Sequence, residues 1–310
     1  MVPNFIQTKD DIIWFTFNKI DNNFLCFPKK IGKYKGKKYS EWFNKPIDIL
    51  SKYKKKIDGL DEKVYIVNQK QIKKVYDPLK FVEDKKYLNL KFNLDYYVEY
   101  IVKSINDFFD IELSSIGIEG SILLECYKES SDIDILVYGK ENAKKIQNKF
   151  DKFNKYKGIT LFNEEQANEY VEKRKECGYG NNIEIMKKQF FRRYYGFVFG
   201  KQFSVVCVPY EFGDGYINLN RKIKYIDTYE GILKITNDDN SCLIPSRYIA
   251  KDINNKEYKI EVYNHYGINQ AKNNELVFVK GKKYKDIKEN DEIIILSFWS
   301  NIEERFDLYE

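Results

Sequence analysis

The sequence predicts an α+β chain in which a core sheet carrying two aspartates stands between a small N-terminal α+β unit and a C-terminal run of short strands. Three observations predict it. Apolar clusters alternate around a polar turn in DIIWFTFNKIDNNFLCFP, residues 11–28. A strand, a Gly-Ser turn and an acidic strand follow one another between residues 115 and 138. From residue 221 onward about five short apolar strands are separated by polar turns. The expected units are 1–90, 91–215 and 216–310.

In the first unit, Asp21-Asn22-Asn23 can take a tight-turn conformation, so residues 11–28 are expected as a hairpin. Residues 42–53 read as a helix and 64–67 as a strand, and Asp77-Pro78 punctuates the end of the unit. Between Pro28 and Lys56 lie eleven lysines against two acids, in a chain whose net charge is only +6. Tyr34, Tyr39, Trp42, Phe43 and Tyr53 are interleaved with them. That composition suits phosphate neutralisation plus base stacking, which makes RNA a candidate partner; a solvated lysine-rich surface is the other reading.

The second unit opens with DYYVEYIVKSINDFF, residues 95–109, which sets Tyr97, Val98, Ile101, Ile105 and Phe108 on one helical face. Residues 115–118 read as a strand running into Gly120-Ser121, with a helix expected over 122–127. A glycine allows close backbone approach to a phosphate, a helix start offers unpaired N–H groups, and Ser121 adds a hydroxyl. In Asp-Ile-Asp-Ile-Leu-Val, alternation puts Asp132 and Asp134 on one strand face and Ile133 and Ile135 on the other. Two carboxylates that close repel unless a cation lies between them, and hard oxygen ligands suit Mg²⁺ or Mn²⁺. Two helices follow, ENAKKIQNKFDKFNKYK and EEQANEYVEKRKE. In IMKKQFFRRYY, residues 185–195, a helix would gather Lys187, Lys188, Arg192 and Arg193 on one broad face, suited to triphosphate or nucleic acid or else to plain solvation. QFSVVCV, residues 202–208, reads as a buried strand able to join the aspartate sheet.

The third unit is expected as a small OB-like barrel, an architecture that often binds oligonucleotides.

The spacing Gly120-Ser121, ten residues, Asp132-x-Asp134 resembles the signature of the DNA polymerase β-like nucleotidyltransferase superfamily. The surroundings, IGIEGSILL and SDIDILVYGKENAKKI, are similar to a group of archaeal stand-alone nucleotidyltransferase-like proteins of about this length; the resemblance is close over residues 95–150. It implies a polymerase β-like core and a metal-dependent transfer of a nucleoside monophosphate from an NTP to RNA, protein or a small molecule. Asp132 and Asp134 would be catalytic and hold the metal, with Gly120 and Ser121 on the outer phosphates. Arg192 and Arg193 are further candidates for substrate phosphates on their chemistry alone. The superfamily places a third carboxylate on a neighbouring strand, where this sequence offers Ser204; Glu184 and Glu211 are the remaining candidates. Glu125 also replaces the small residue often found after the Gly-Ser turn. The alternative is a catalytically inactive nucleotide- or RNA-binding protein on the same fold.

Composition excludes other chemistries. Five scattered cysteines with no C-x-x-C pair and one histidine, His265, speak against a zinc site, a disulfide framework and a Ser-His or Cys-His nucleophile. No run of eighteen apolar residues occurs and VPNFIQTKDD lacks the apolar core of a signal peptide, so a cytoplasmic protein without membrane attachment is expected.

Overall fold

A computed structural model describes residues 5–31, 48–61, 63–175, 183–210, 222–263, 267–297 and 303–309. Among them the strands form three sheets. The first contains β1 (Phe5–Thr8), β2 (Ile12–Ile20), β3 (Asn23–Ile31), β4 (Lys54–Lys56), β5 (Lys63–Asn68) and β6 (Ile72–Tyr76) in the order β4-β5-β3-β2-β1-β6. The expected hairpin is β2 and β3, joined through Asp21 at φ +50°, a left-handed conformation that Asp tolerates better than most residues. Helix α1 (Asp48–Ser51) is all that the described residues show of the helix expected over 42–53.

Helix α2 (Pro78–Glu83) begins where Asp77-Pro78 stops the first sheet. The Asp77 carboxylate accepts from the N–H groups of Leu79 and Lys80 at 3.0 and 3.1 Å, and Pro78 needs no hydrogen-bond partner at the first helical position. Helix α3 (Leu94–Phe109) buries Leu94, Val98, Ile101, Val102, Ile105 and Phe109, the stripe that helical spacing dictates.

The middle sheet contains β7 (Ile116–Ile118), β8 (Ile133–Tyr138), β9 (Ile159–Leu161), β10 (Tyr194–Val198) and β11 (Lys201–Val208) in the order β7-β8-β11-β10-β9. Between them run α4 (Gly120–Leu123), α5 (Lys140–Lys149), α6 (Glu164–Lys175) and α7 (Ile183–Phe190). Strand β11 joins this sheet beside β8, the place the sequence allowed for residues 202–208, and the two run parallel. Alternation sends Ile133, Ile135 and Val137 of β8 into a core with Ile101 and Ile105 of α3 and Ala143 and Ile146 of α5. Leu136 and Tyr138 point the other way, onto Val206, Val208, Ile244 and Ile268.

The third sheet contains β12 (Ile223–Asn240), β13 (Ser246–Lys251), β14 (Glu257–Val262), β15 (Leu276–Asp286), β16 (Glu292–Leu296) and β17 (Arg305–Leu308). Its order is β12-β13-β14-β16-β15-β17, and β12 also pairs with β15. The first and third sheets share a core that includes Trp14, Tyr53, Tyr65, Tyr263, Tyr284 and Ile295. Across this junction Asp61 accepts from Lys282 Nζ at 2.8 Å and from Tyr284 Oη at 2.9 Å, which gives the buried ammonium its partner. No helix among the described residues is long and apolar enough to cross a membrane.

Two expectations need correction. The helix after Gly120-Ser121 is a single turn ending at Leu123, not the run to Tyr127. Glu125 stands at φ +56° and the N–H of Cys126 returns to the Ser121 carbonyl at 3.0 Å, because the chain must double back to lay β8 antiparallel to β7. Likewise, α7 stops at Phe190, and Arg192 and Arg193 lie in the turn beyond it. Tyr194–Val198 pairs with β11 on one side and Gly196–Val198 with β9 on the other. Ladder bonds on both flanks outweigh the single further turn that the local spacing of IMKKQFFRRYY favours.

Candidate active site

The loop between β7 and α4 presses against the start of β8. Gly120 has φ +67°, and a Cβ placed there would lie 2.2 Å from Asp134 Oδ2, so only glycine fits on both conformational and steric grounds. Ser121 follows, half-buried, at the start of the α4 turn. Asp132 is exposed just before β8 and Asp134 is half-buried within it. The structure thus brings Gly120 onto Asp134 with Ser121 and Asp132 as near neighbours in sequence. Gly120→Ala is expected to push the Asp134 carboxylate aside and add about 1–2 kcal/mol of left-handed backbone strain. Calorimetric titration with NTP and Mg²⁺ should show affinity falling about tenfold or more in a folded protein. Unchanged affinity and an unchanged melting temperature would show that the close packing has no bearing on ligand binding.

Across the sheet, Ser204 pairs with Asp134 in the β11–β8 register and donates from Oγ to Asp134 Oδ1 at 2.8 Å. Ser204 therefore occupies the strand position beside the aspartates, and it holds one of them in place rather than adding a charge. On the opposite flank, the β7–β8 ladder continues past Ile118 and Ile135, and the Glu119 N–H donates to the Asp134 carbonyl at 2.8 Å. Because Ile116 and Ile118 face the α3 core, alternation turns Glu119 to the Asp134 face. Glu119, Asp134 and Ser204 form a row across three strands, neighbouring strands lying about 4.7–4.9 Å apart.

Glu119 was not singled out by its sequence context. It is only 7% exposed. Burial pushes its carboxyl up to about 7; Lys29, on β3 of the first sheet, opposes the rise, and the negative charges of Asp134 and Asp132 add to it. The sequence signal that could have found it is the Ile-x-Ile-Glu alternation: an acid in phase with Gly117, on the face where Asp134 was already placed.

No group of three or more His, Cys, Asp and Glu side chains among the described residues converges closely enough to hold an ion as the side chains stand. The chemistry of Asp132 and Asp134 suits a divalent cation all the same, since both offer hard carboxylate oxygens on one face of the strand start.

The remaining candidates lie elsewhere. Arg192 forks onto Glu275 at 2.7 and 2.6 Å and donates to the Gln270 carbonyl at 3.0 Å; it joins the middle sheet to the third and is already committed. Arg192 and Arg193 both line a cavity of about 360 Å³ with Phe191, Tyr195, Asp238 and Lys272, which none of Glu119, Asp132 and Asp134 borders. Glu184 is exposed on α7 and pairs with Lys187 at 3.1 Å. Glu211 lies outside the described residues, as do residues 32–47 of the lysine-rich stretch. Glu125 points outward to Lys74 at 3.5 Å and does not crowd the Gly-Ser turn.

Residues 98–195 match the family model of the nucleotidyltransferase domain. The match spans α3 through the start of β10 and includes Gly120, Ser121, Asp132 and Asp134; Ser204 lies beyond it. No curated protein and no solved structure gives a significant match to the chain.

Proposed function

We propose that the chain is a divalent-metal-dependent nucleotidyltransferase that moves a nucleoside monophosphate from an NTP to an acceptor hydroxyl. The observation that carries this reading is the contact of Gly120 with Asp134: a turn open to phosphates and a carboxylate suited to a cation meet at one point within the matched domain. Asp132 and Asp134 would hold Mg²⁺ or Mn²⁺, which supplies charge neutralisation for the phosphates and the attacking oxygen. Ser121 and the backbone around Gly120 orient the outer phosphates. The acceptor hydroxyl gives up its proton to solvent and its oxygen forms a bond to the α-phosphorus as the bond from that phosphorus to the bridging oxygen breaks, and pyrophosphate leaves in line. Ser204 holds Asp134 by Oδ1, and Oδ2 lies against Gly120.

The acceptor classes are RNA, protein and small molecules. In support of RNA, β12 pairs with β13 through residues 234–240 and with β15 through residues 223–234, while β14 and β16 run parallel. That circuit, β12-β13-β14-β16-β15 and back, supports an OB-like barrel of the kind that accommodates oligonucleotides.

Ser204 favours a second reading, a nucleotide-binding protein without turnover, since it stands where an acid would take the acceptor proton. Incubation with each α-labelled NTP, Mg²⁺ or Mn²⁺, and RNA or protein acceptors tests the choice. Label transfer with pyrophosphate release is expected. Saturable NTP binding without release would establish the binding protein, and absence of both would refute either reading.

A further inference from the structure

Strands β10 and β11 are joined by the turn Phe199-Gly200, closed by the pairing of Val198 with Lys201. Both turn residues have positive φ, +47° and +84°, a conformation that tight hairpins fill with Asn, Asp or Gly and that a bulky side chain resists. Phe199 occupies it all the same, and its ring has a built seat. The Phe199 N–H donates to the Gly158 carbonyl at 2.8 Å, and a Cβ on Gly158 would lie 2.4 Å from the ring, so only a glycine leaves room for it. The Tyr100 ring meets Phe199 edge-on with centroids 4.6 Å apart, and the Tyr96 ring stacks beside it at 5.7 Å and 29°. Yet Phe199 remains 43% exposed and Tyr96 52%, so two fixed aromatic rings face solvent together.

The surroundings of the rings are basic. Lys155 and Lys157, on the segment leading to Gly158, are exposed and form no ion pair among the described residues. Lys201 donates from Nζ to the Glu129 carbonyl, so no carboxylate cancels its charge. The acids of α3 are offset locally: Glu99 takes Lys103 at 2.7 Å, Asp107 accepts from Tyr156 Oη at 3.0 Å, and Asp95 stands in the first turn, where the helix dipole balances it. Open π-faces beside uncancelled ammonium groups fit the bases and phosphates of a single strand, whereas a duplex hides its base faces and an apolar protein surface would leave the lysines unanswered. Because β11 runs parallel to β8 with Phe203 opposite Ile133, the turn lies at the end of the sheet where Asp132 is exposed, and Lys201 reaches the segment leading to Asp132. Phe199 precedes Ser204 by roughly 17 Å of extended strand. We infer that Tyr96 and Phe199 form a stacking step for the bases of a single-stranded nucleic acid, with Lys155, Lys157 and Lys201 along its phosphates. As a statement about the acceptor it rests on the proposed function: a strand lying on the step passes Lys201 and brings its terminal hydroxyl toward the aspartates.

The test is a short fluorescein-labelled oligoadenylate RNA, titrated with protein in chelator and without NTP and followed by fluorescence anisotropy. Wild type should bind it saturably and more tightly than the same strand annealed to oligouridylate. Phe199→Asn places a residue that the turn prefers, so the melting temperature should hold while affinity falls roughly tenfold or more; Tyr96→Ala should weaken binding to a similar degree. Tyr96→Trp, which keeps a stacking face, should retain the affinity, a rescue that a purely structural role for the ring would not give. Replacing Lys155 and Lys157 by Gln should reduce the slope of log affinity against log salt by about 0.7 for each lysine. No saturable binding by the wild type, or equal affinity in wild type, Phe199→Asn and Tyr96→Ala, would overturn the step and leave metal-dependent transfer standing, since neither metal nor NTP takes part. Self-association of the wild type that Phe199→Asn abolishes, with RNA affinity unchanged, would overturn it in favour of a second copy of the chain on this face. Intact, ring-dependent RNA binding with no label transfer from any NTP would keep the step and remove its acceptor role.

Discussion

Asp132→Asn and Asp134→Asn are each expected to lower nucleotidyl transfer by roughly a thousandfold or more, because cation-borne stabilisation of the transferring phosphoryl group amounts to several kcal/mol and each 1.36 kcal/mol is tenfold in rate. The fold should survive. Asn at position 134 can still accept the Ser204 hydroxyl, now held at 2.8 Å, and removing one charge relieves the repulsion that Asp132 and Asp134 exert on Glu119. Binding and chemistry separate in the readout: metal-dependent NTP affinity by calorimetry should fall together with turnover, while melting of the metal-free protein should hold or rise. A variant that keeps both metal-dependent affinity and transfer would show that the aspartates are not the cation site. Loss of activity with collapse of the fold would show instead that they serve the sheet.

The site's first half is legible in the chain because its chemistry is local. A glycine that lets backbone approach a phosphate, a serine after it and two acids in strand alternation all lie within fifteen residues, and elementary geometry places them. The second half depends on which strands become neighbours. Ser204 is seventy residues from Asp134, and only the parallel pairing of β11 with β8 makes it the residue opposite. Glu119 is close in sequence, but its meaning depends on the same register: without the β7–β8 ladder it reads as the polar end of a short strand. Arg192 shows the converse failure. Its alternation with Lys187, Lys188 and aromatics suits a helix, yet Tyr194 onward is claimed by two strand partners and the guanidinium finds Glu275 eighty-three residues away. Elements set by periodicity, such as α3 and the β2–β3 hairpin, appear nearly as the sequence predicts; elements set by long-range pairing, such as β9, β10 and β17, do not announce themselves.

Arg192→Ala should destabilise the protein by roughly 1–3 kcal/mol, below the cost of stranding a fully buried charge because Glu275 remains 27% exposed while Arg192 is 11% exposed. The deletion removes a bidentate pair at 2.7 and 2.6 Å and leaves the Gln270 carbonyl without its donor at 3.0 Å. The pH dependence identifies the cause. Burial works to raise the Glu275 carboxyl, but the hydrogen bond from Arg192, the Lys272 N–H and the positive charges of Arg192 and Lys188 prevail and hold it below its ordinary value. A depressed carboxyl contributes stability that is fully present above its unfolded value of 4.5 and is lost as the pH falls through the lower folded value. The gap in melting temperature between wild type and Arg192→Ala should therefore be widest at neutral pH, where several degrees are expected, and should narrow below pH 4.5. The KM for NTP, measured well below the melting temperature, should hardly move. If Arg192 instead leaves Glu275 to grip a triphosphate, the pattern reverses: KM rises, melting of the free protein changes little, and the pH dependence of the gap disappears.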